Sequence, residues 1–154
     1  MNILQAQNPD QIETARILFR EYEAWLGLDL CFQGFEEELR SLPGKYAAPA
    51  GRLYIAYIDE SPAGCIALRK LENDVCEMKR LFVRDEFRGH KLGLTLVERV
   101  ISDAREIGYS KMRLDTYPLK MGKAVGLYES HGFHTIAPYY ANPDPGVLFM
   151  ELDL

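Results

Sequence analysis

A pair of glycines set among basic residues, Arg88-Gly89-His90-Lys91-Leu92-Gly93, joins an apolar run ending at Val83 to an amphipathic stretch that continues to Val100. The order reads as strand, short loop and helix, and the chemistry it suits is anion binding. Glycine lets the backbone approach a ligand closely, and the first amides of a helix have no partner within it. Those amides, together with the partial positive charge of a helix start, match a pyrophosphate. Between Lys79 and Lys91 there are five basic side chains (Lys79, Arg80, Arg84, Arg88, Lys91) against two acidic ones (Asp85, Glu86), in a chain of net charge −5. Such a local excess marks where an anion would settle. Thr95 falls in the first helical turn, where its hydroxyl can face a phosphate. A glycine pair before a helix is also the ordinary form of a turn and cap, so further signals are needed.

Two common phosphate folds fit poorly. The chain has no GxxxxGK[ST]. A dinucleotide fingerprint needs GxGxxG and an acidic residue about 20 positions later. Here the glycine spacing differs, and Asp115 follows Gly93 by 22 residues with no third glycine.

The loop resembles the acyl-CoA signature of the GNAT superfamily of N-acetyltransferases, [R/Q]-x-x-G-x-[G/A], with Arg88 and Gly93 at its first and last positions. Lys91 stands where the signature has its central glycine. Downstream, Ala124-x-x-Leu127-Tyr128-x-x-x-Gly132-Phe133 is similar to the family's second signature, and Met121 stands where an asparagine is usual. The resemblance extends over the whole chain. It implies a fold of mixed α/β class, with a largely antiparallel sheet of six to seven strands flanked by about four helices. It also implies acetyl-CoA as the acyl donor. The donor would be held at Leu81, Phe82 and Val83, at Arg88, Gly89, His90, Lys91, Leu92, Gly93, Leu94 and Thr95, and at Ala124 and Leu127. Leu81 and Val83 would act through backbone amides pairing with pantetheine in a splayed strand, and the Leu81 amide could stabilise an oxyanion.

Acyl transfer in the family is direct: an amine attacks the thioester, a base takes a proton, and an acid protonates the departing thiolate. Tyr128 is the expected acid, since a phenol titrating near ~10 stays protonated at neutral pH while a thiolate sits near ~8.5. Glu77 is the expected base. Six residues at ~3.3 Å each put it ~20 Å from Val83 along a straight strand, so a bulge or a water chain must bring it to the thioester. An exposed carboxylate paired with Lys79 or Arg80 is the plainer reading. No serine sits in a GxSxG elbow, and the cysteines (Cys31, Cys65, Cys76) fall in patterns that suggest burial, which argues against a covalent intermediate. The three histidines lack metal spacing and no metal is expected.

The acceptor should meet the first two helices, the turn between them and the C-terminal strands. Residues 10–40 carry eight acids against three arginines, which suits a cationic amine or simply a solvated helix face. Tyr22, Asp29, Phe32, Asp115, Tyr139 and Tyr140 are candidate pocket residues, and Arg69 or Lys79 could hold a substrate carboxylate.

The elements that must position these groups follow from periodicity. Residues 2–6 form a first strand. Asn8-Pro9-Asp10-Gln11 starts a helix as a capping box with proline in the first turn. Its apolar face (Ile12, Ala15, Leu18, Phe19, Tyr22, Trp25, Leu26) ends at Gly27. A short helix spans 35–42, and strands span 53–58 and 65–71, joined through a turn at 59–64. A turn at Asn73-Asp74 leads to the strand 75–83. The helix after the glycine loop runs to about Ile107, followed by a strand at 111–117, a helix at 121–130 and strands near 133–137 and 147–152.

At 154 residues the chain reads as a single domain, 1–154, large enough for a core. The odd, scattered cysteines suggest a reduced, cytoplasmic protein without disulfides or zinc. The first residues lack the basic and apolar regions of a signal peptide, and no run approaches the ~18 apolar residues of a membrane span. Net acidity argues against nucleic acid. Edge strands near the C-terminus admit a homodimer. The expected function is acetyl transfer from acetyl-CoA to a primary amine, of a small molecule first and of a protein as the alternative acceptor, probed against two other readings: an acyl-CoA-binding module with little catalysis, and a nucleotide-dependent oxidoreductase.

Overall fold

The computed structural model describes residues 1–154 with every side chain except that of Phe32. The Phe32 contribution to an acceptor pocket therefore lies outside the described residues. The first strand, β1 (Asn2–Gln5), leads into α1 (Pro9–Leu26). The capping box forms as expected: Asn8 Oδ1 accepts from the Gln11 amide at 2.8 Å, and Gln11 Oε1 accepts from the Asn8 amide at 3.2 Å. Gly27 ends the helix in the left-handed region, φ 73°. The remaining elements are α2 (Phe35–Ser41), β2 (Arg52–Ile58), β3 (Ser61–Glu72), β4 (Val75–Val83), α3 (Leu92–Ile107), β5 (Lys111–Thr116), α4 (Pro118–Ser130), β6 (His134–Ile136) and β7 (Leu148–Asp153).

Seven strands form one sheet in the order β1-β2-β3-β4-β5-β7-β6, antiparallel throughout except for the parallel pair β4–β5. Alternation along the strands divides the interior into two layers. Leu53, Ile55, Cys65 and Ala67 face α1 and α2, where Leu18, Phe19, Leu26 and Phe35 are buried. Tyr54, Ala56, Ile66 and Leu68 face α3, whose Leu92, Leu96, Val97 and Val100 fill the other core. Burying an aliphatic side chain of this size stabilises the fold by about 1.5–3 kcal/mol.

Two boundaries differ from the sequence expectation by more than two residues. The hairpin turn is confined to Asp59 and Glu60, both at positive φ (48° and 69°), so β3 begins at Ser61 and takes Pro62 into the ladder opposite Tyr57. A two-residue turn of this kind fits the twist of its flanking strands. Helix α4 begins at Pro118, but Met121 leaves helical geometry (φ −124°, ψ 37°) and kinks it at the point where the periodicity starts.

The departure that matters for function lies in β4. Between the pairs Ala67–Lys79 and Cys65–Phe82, β3 advances two residues while β4 advances three. The extra residue is a bulge at Arg80, φ 63°, whose carbonyl accepts from Cys65 Sγ at 3.3 Å. Lys79 and Arg80 both turn toward α1 and α2, and Leu81 returns to the α3 layer. A bulge bends its strand and increases local twist. Accordingly β4 pairs with β5 only at Val75–Lys111, Cys76–Met112 and Glu77–Arg113, and the two strands then part. β4 stays registered on β3 as far as Gly64–Val83. At Gly64 a Cβ would come 2.6 Å from the Phe82 carbonyl oxygen, so only glycine permits that approach.

Candidate active site

Three regions meet around the β4–β5 gap: an amide-lined loop, the gap itself, and a buried charge cluster. The loop leaves β4 through a 3-10 turn at Asp85–Phe87, passes Gly89 at φ 92° and Lys91 at φ 59°, and enters α3. The first intrahelical bond runs from the Thr95 amide to the Lys91 carbonyl, 3.1 Å. The amides of Gly89, His90, Lys91, Leu92, Gly93 and Leu94 donate to no acceptor among the described residues. A Cβ on Gly93 would meet nothing within 4 Å, which leaves the helix start open to close approach. Lys91 occupies a left-handed conformation that glycine adopts more readily, which explains why its signature position favours glycine.

The basic cluster expected around this loop does not assemble there. Arg84 is tied to Glu21 of α1 through bonds of 2.8 and 2.6 Å and to the Pro62 carbonyl. Lys79 and Arg80 are buried on the opposite side of the sheet. Only Arg88 and Lys91 remain at the loop, and Arg88 stacks 5.0 Å over Trp25 while pairing with Asp85 at 3.0 Å. Thr95 is also otherwise engaged, because its hydroxyl donates to the Lys91 carbonyl at 2.9 Å. Any anion binding here rests on main-chain N–H groups and the helix dipole.

Tyr22, Leu81, Leu114, Asp115, Met121 and Tyr128 line the gap. Tyr128 is buried, its ring 5.7 Å from that of Phe133, and its hydroxyl makes no hydrogen bond among the described residues. Burial pushes its pKa up, so the proton stays on the phenol. Met121 Sδ accepts from Thr116 Oγ1 at 3.8 Å. Leu81 is buried beside Tyr128, and the Phe82 ring packs away from the gap against Tyr22 and Trp25. Leu92 serves the core with its side chain, and Ala124 and Leu127 pack against the same layer.

On the α1 side, Glu77 is 1% exposed and its carboxylate is fully engaged. Oε1 accepts from Arg69 at 2.9 Å and lies 3.7 Å from Lys79 Nζ, and Oε2 accepts from the Tyr139 hydroxyl at 2.6 Å. Burial alone would raise its pKa, but Lys79, Arg69 and the Tyr139 bond outweigh that and hold it below the usual range. Arg80 makes a two-point pair with Glu38 (2.9 and 2.8 Å), bonds Gln33 at 3.0 Å and sits over the rings of Tyr22 and Phe35. Tyr140 donates to Asp115, and Asn142 bonds both Tyr140 and Tyr117. The β6–β7 loop thus closes over the charge cluster.

Of the expected acceptor residues, the structure gathers Tyr22, Arg69, Lys79, Asp115, Tyr139 and Tyr140. Asp29 stands apart: it is exposed and accepts from the Cys31 amide at 2.9 Å as a turn residue. Cys31 is likewise exposed in that turn, contrary to the burial its pattern suggested, whereas Cys65 and Cys76 are buried. Glu38, Gln33 and Asn142 were not singled out from the sequence, and Arg80 was read there only as part of the basic cluster or as a partner of Glu77. Adjacent Lys79-Arg80 within an apolar strand was the available sign, since two consecutive polar residues break the alternation that a flat strand requires. Among the described residues no group of His, Cys, Asp or Glu could hold a metal, and no helix is long and apolar enough to cross a membrane.

These features agree with comparisons to known proteins. The profile of the Acetyltransferase (GNAT) family matches residues 14–133. An uncharacterized N-acetyltransferase of Schizosaccharomyces pombe is 40% identical over all of this chain and 95% of its own length. An uncharacterized N-acetyltransferase of Dictyostelium discoideum is 37% identical, covering 94% of this chain and 95% of that one. An IAA acetyltransferase of Azospirillum brasilense is 34% identical over 70% of this chain and 71% of its own. In fold, an acetyltransferase from Streptococcus agalactiae superposes with a TM-score of 0.81 at 24% identity, covering 99% and 98% of the two chains. A PaiA N-acetyltransferase from Thermoplasma acidophilum, solved in complex with coenzyme A, covers both chains fully with a TM-score of 0.73 at 19% identity. The signature loop, the splayed strands and these matches together make the chain a member of the GNAT family, an acyl-CoA-dependent acetyltransferase.

Proposed function

We propose that the chain moves the acetyl group of acetyl-CoA onto the primary amine of a small molecule by direct attack through a tetrahedral intermediate. The observation that carries this reading is the Tyr128 hydroxyl in the β4–β5 gap, without a hydrogen bond among the described residues, together with six uncommitted amides at the helix start that follows β4. The pyrophosphate of the donor rests on the amides from Gly89 to Leu94, and pantetheine enters the gap along Leu81–Val83. The amine nitrogen attacks the thioester carbonyl, the oxyanion takes a hydrogen bond from the Leu81 amide, and the C–S bond breaks. Tyr128 then gives its proton to the thiolate.

Glu77 is the base in this reading. The bulge at Arg80 supplies the bend that a straight strand lacks. Because both carboxylate oxygens are bonded, the amine proton reaches Glu77 through Tyr139, whose hydroxyl passes its own proton across the 2.6 Å contact. A relative named for a small molecule, the IAA acetyltransferase, supports a small acceptor.

Thiol release from acetyl-CoA mixed with a panel of amines tests the reading. Release with at least one amine, lost in Tyr128→Phe, is the expected result. Lys91 and Met121, at positions where the family signatures carry glycine and asparagine, favour one other reading, an acyl-CoA-binding module. Donor binding without release for every amine would select it.

A further inference from the structure

A cavity of about 320 Å³ opens on the α1 side of β4, with Gln33, Leu42, Lys45, Tyr46, Arg69 and Lys79 in its wall. Lys79 also lines the β4–β5 gap, so the cavity and the gap share a wall. The volume is at the lower end of small-ligand sites, about 300–1,000 Å³, and suits a metabolite rather than a protein surface.

The cations in this wall are incompletely used. The Lys79 side chain is 8% exposed, yet its ammonium makes one hydrogen bond, 3.0 Å to the neutral Gln33 Oε1. Its nearest carboxylate oxygen, Glu77 Oε1, lies at 3.7 Å. An ammonium carries three donors, so Lys79 keeps donors for a ligand beyond its bond to Gln33. Arg69 spends Nε and Nη2 on the same Glu77 oxygen, each at 2.9 Å, and Nη1 has no partner among the described residues. Two carboxylates, Glu37 and Glu38, also line the cavity, and Glu37 meets its partner only in an exposed surface pair. Glu38 is held by Arg80, Glu37 pairs with Arg40 at 3.1 Å, and Asp115 is held by Tyr140 across the gap.

We propose that this cavity binds the carboxylate of the acceptor, held by Lys79 Nζ and Arg69 Nη1, so that the acceptor is an amine of amino-acid size bearing a carboxylate. The inference rests on the acetyl-transfer reading above and names the substrate class of the same site. A carboxylate supplies the missing acceptors to both cations in charge-assisted bonds, the strongest kind available to them. Anchored at Lys79, whose side chain lines both spaces, the molecule lies against the wall beyond which Tyr128 and Leu81 stand.

Calorimetry with the protein saturated in coenzyme A measures binding without turnover. The probes are the proteinogenic L-amino acids and their matching carboxamides, and acetyl transfer is followed separately by thiol release with acetyl-CoA. At least one amino acid should bind more than tenfold tighter than its carboxamide. Lys79→Met and Arg69→Gln should each erase that preference, and both should still bind coenzyme A, which reports an intact fold. An acceptor whose carboxamide binds as well as the acid overturns the carboxylate site, even if transfer is observed. No binding by any amino acid also overturns it. Tight, Lys79-dependent binding without transfer keeps the site and removes the acetyl-transfer reading.

Discussion

The donor loop and the acceptor-side cluster lie on opposite sides of β4 and are built by opposite means. The loop offers main chain: uncommitted amides at an open helix start, with its nearby basic side chains exposed or tied elsewhere. The cluster offers side chains: Arg69, Glu77, Lys79, Arg80, Glu38 and Tyr139, drawn from α2, β3, β4 and the β6–β7 loop and buried together. A backbone site tolerates many side chains but few backbone changes. A buried charge cluster behaves the other way, because each member removed leaves another charge uncompensated in low dielectric. The loop should therefore be sensitive to changes of backbone, and the cluster to the loss of any one of its side chains.

Mutations can sharpen or break this contrast. The largest effect belongs to the gap between the two regions. Tyr128→Phe should lower kcat by about 10²–10⁴, the range for a lost general acid, with coenzyme A affinity unchanged by calorimetry. Equal turnover in the variant would take Tyr128 out of the mechanism.

On the cluster side, Glu77→Ala strips Arg69 and Lys79 of their shared carboxylate. Urea unfolding should show a loss of about 3 kcal/mol, the low end for breaking a buried pair because Arg69 is partly exposed. The same carboxylate sets an acid response. Its folded-state pKa is depressed, so its contribution to stability is complete above the unfolded value of about 4.3 and is lost as pH falls through the folded value. Unfolding midpoints of the wild type should drop below about pH 4, and Glu77→Gln should flatten that fall.

The loop side should respond to backbone chemistry. Gly93→Ala adds a methyl group in open space and improves helix propensity, so stability should hold or rise by up to about 1 kcal/mol. The same methyl group crowds the donor, and coenzyme A affinity should fall about tenfold, roughly 1.4 kcal/mol. Stability and affinity moving together would contradict an amide-lined site. The smallest effect is at Lys91: glycine relieves a left-handed side-chain conformation costing about 1 kcal/mol, and thermal unfolding should shift upward slightly with coenzyme A affinity equal or better.

The same division explains what could be read from the chain before its structure. The capping box at Asn8, the stop at Gly27, the strand over Val75–Val83 and the glycine loop before α3 all depend on neighbours a few residues away, and their patterns announced them. A mixed, largely antiparallel sheet of six to seven strands was expected, whereas the strand order and its one parallel pair, β4–β5, are visible only in the structure. The Arg80 bulge did not, because it appears only when β4 is registered against β3, and it decides which side of the sheet Lys79 and Arg80 take. Counting basic residues along the sequence therefore gave the loop charges that the fold sends through the sheet. Asp29 failed similarly: an aspartate two residues before a 3-10 turn satisfies the Cys31 amide locally and never turns to the cavity. The bonds from Tyr139 to Glu77 and from Gln33 to Arg80 span 62 and 47 residues, distances over which no spacing rule operates.

In the proposed donor site, the main chain from Gly89 to Leu94 grips the diphosphate of coenzyme A. Titrating coenzyme A into the isotope-labelled protein while recording amide resonances tests it most directly. The account predicts saturable binding with its largest shifts at Gly89–Leu94 and along Leu81–Val83. Shifts confined to other regions, or none at millimolar coenzyme A, would contradict it.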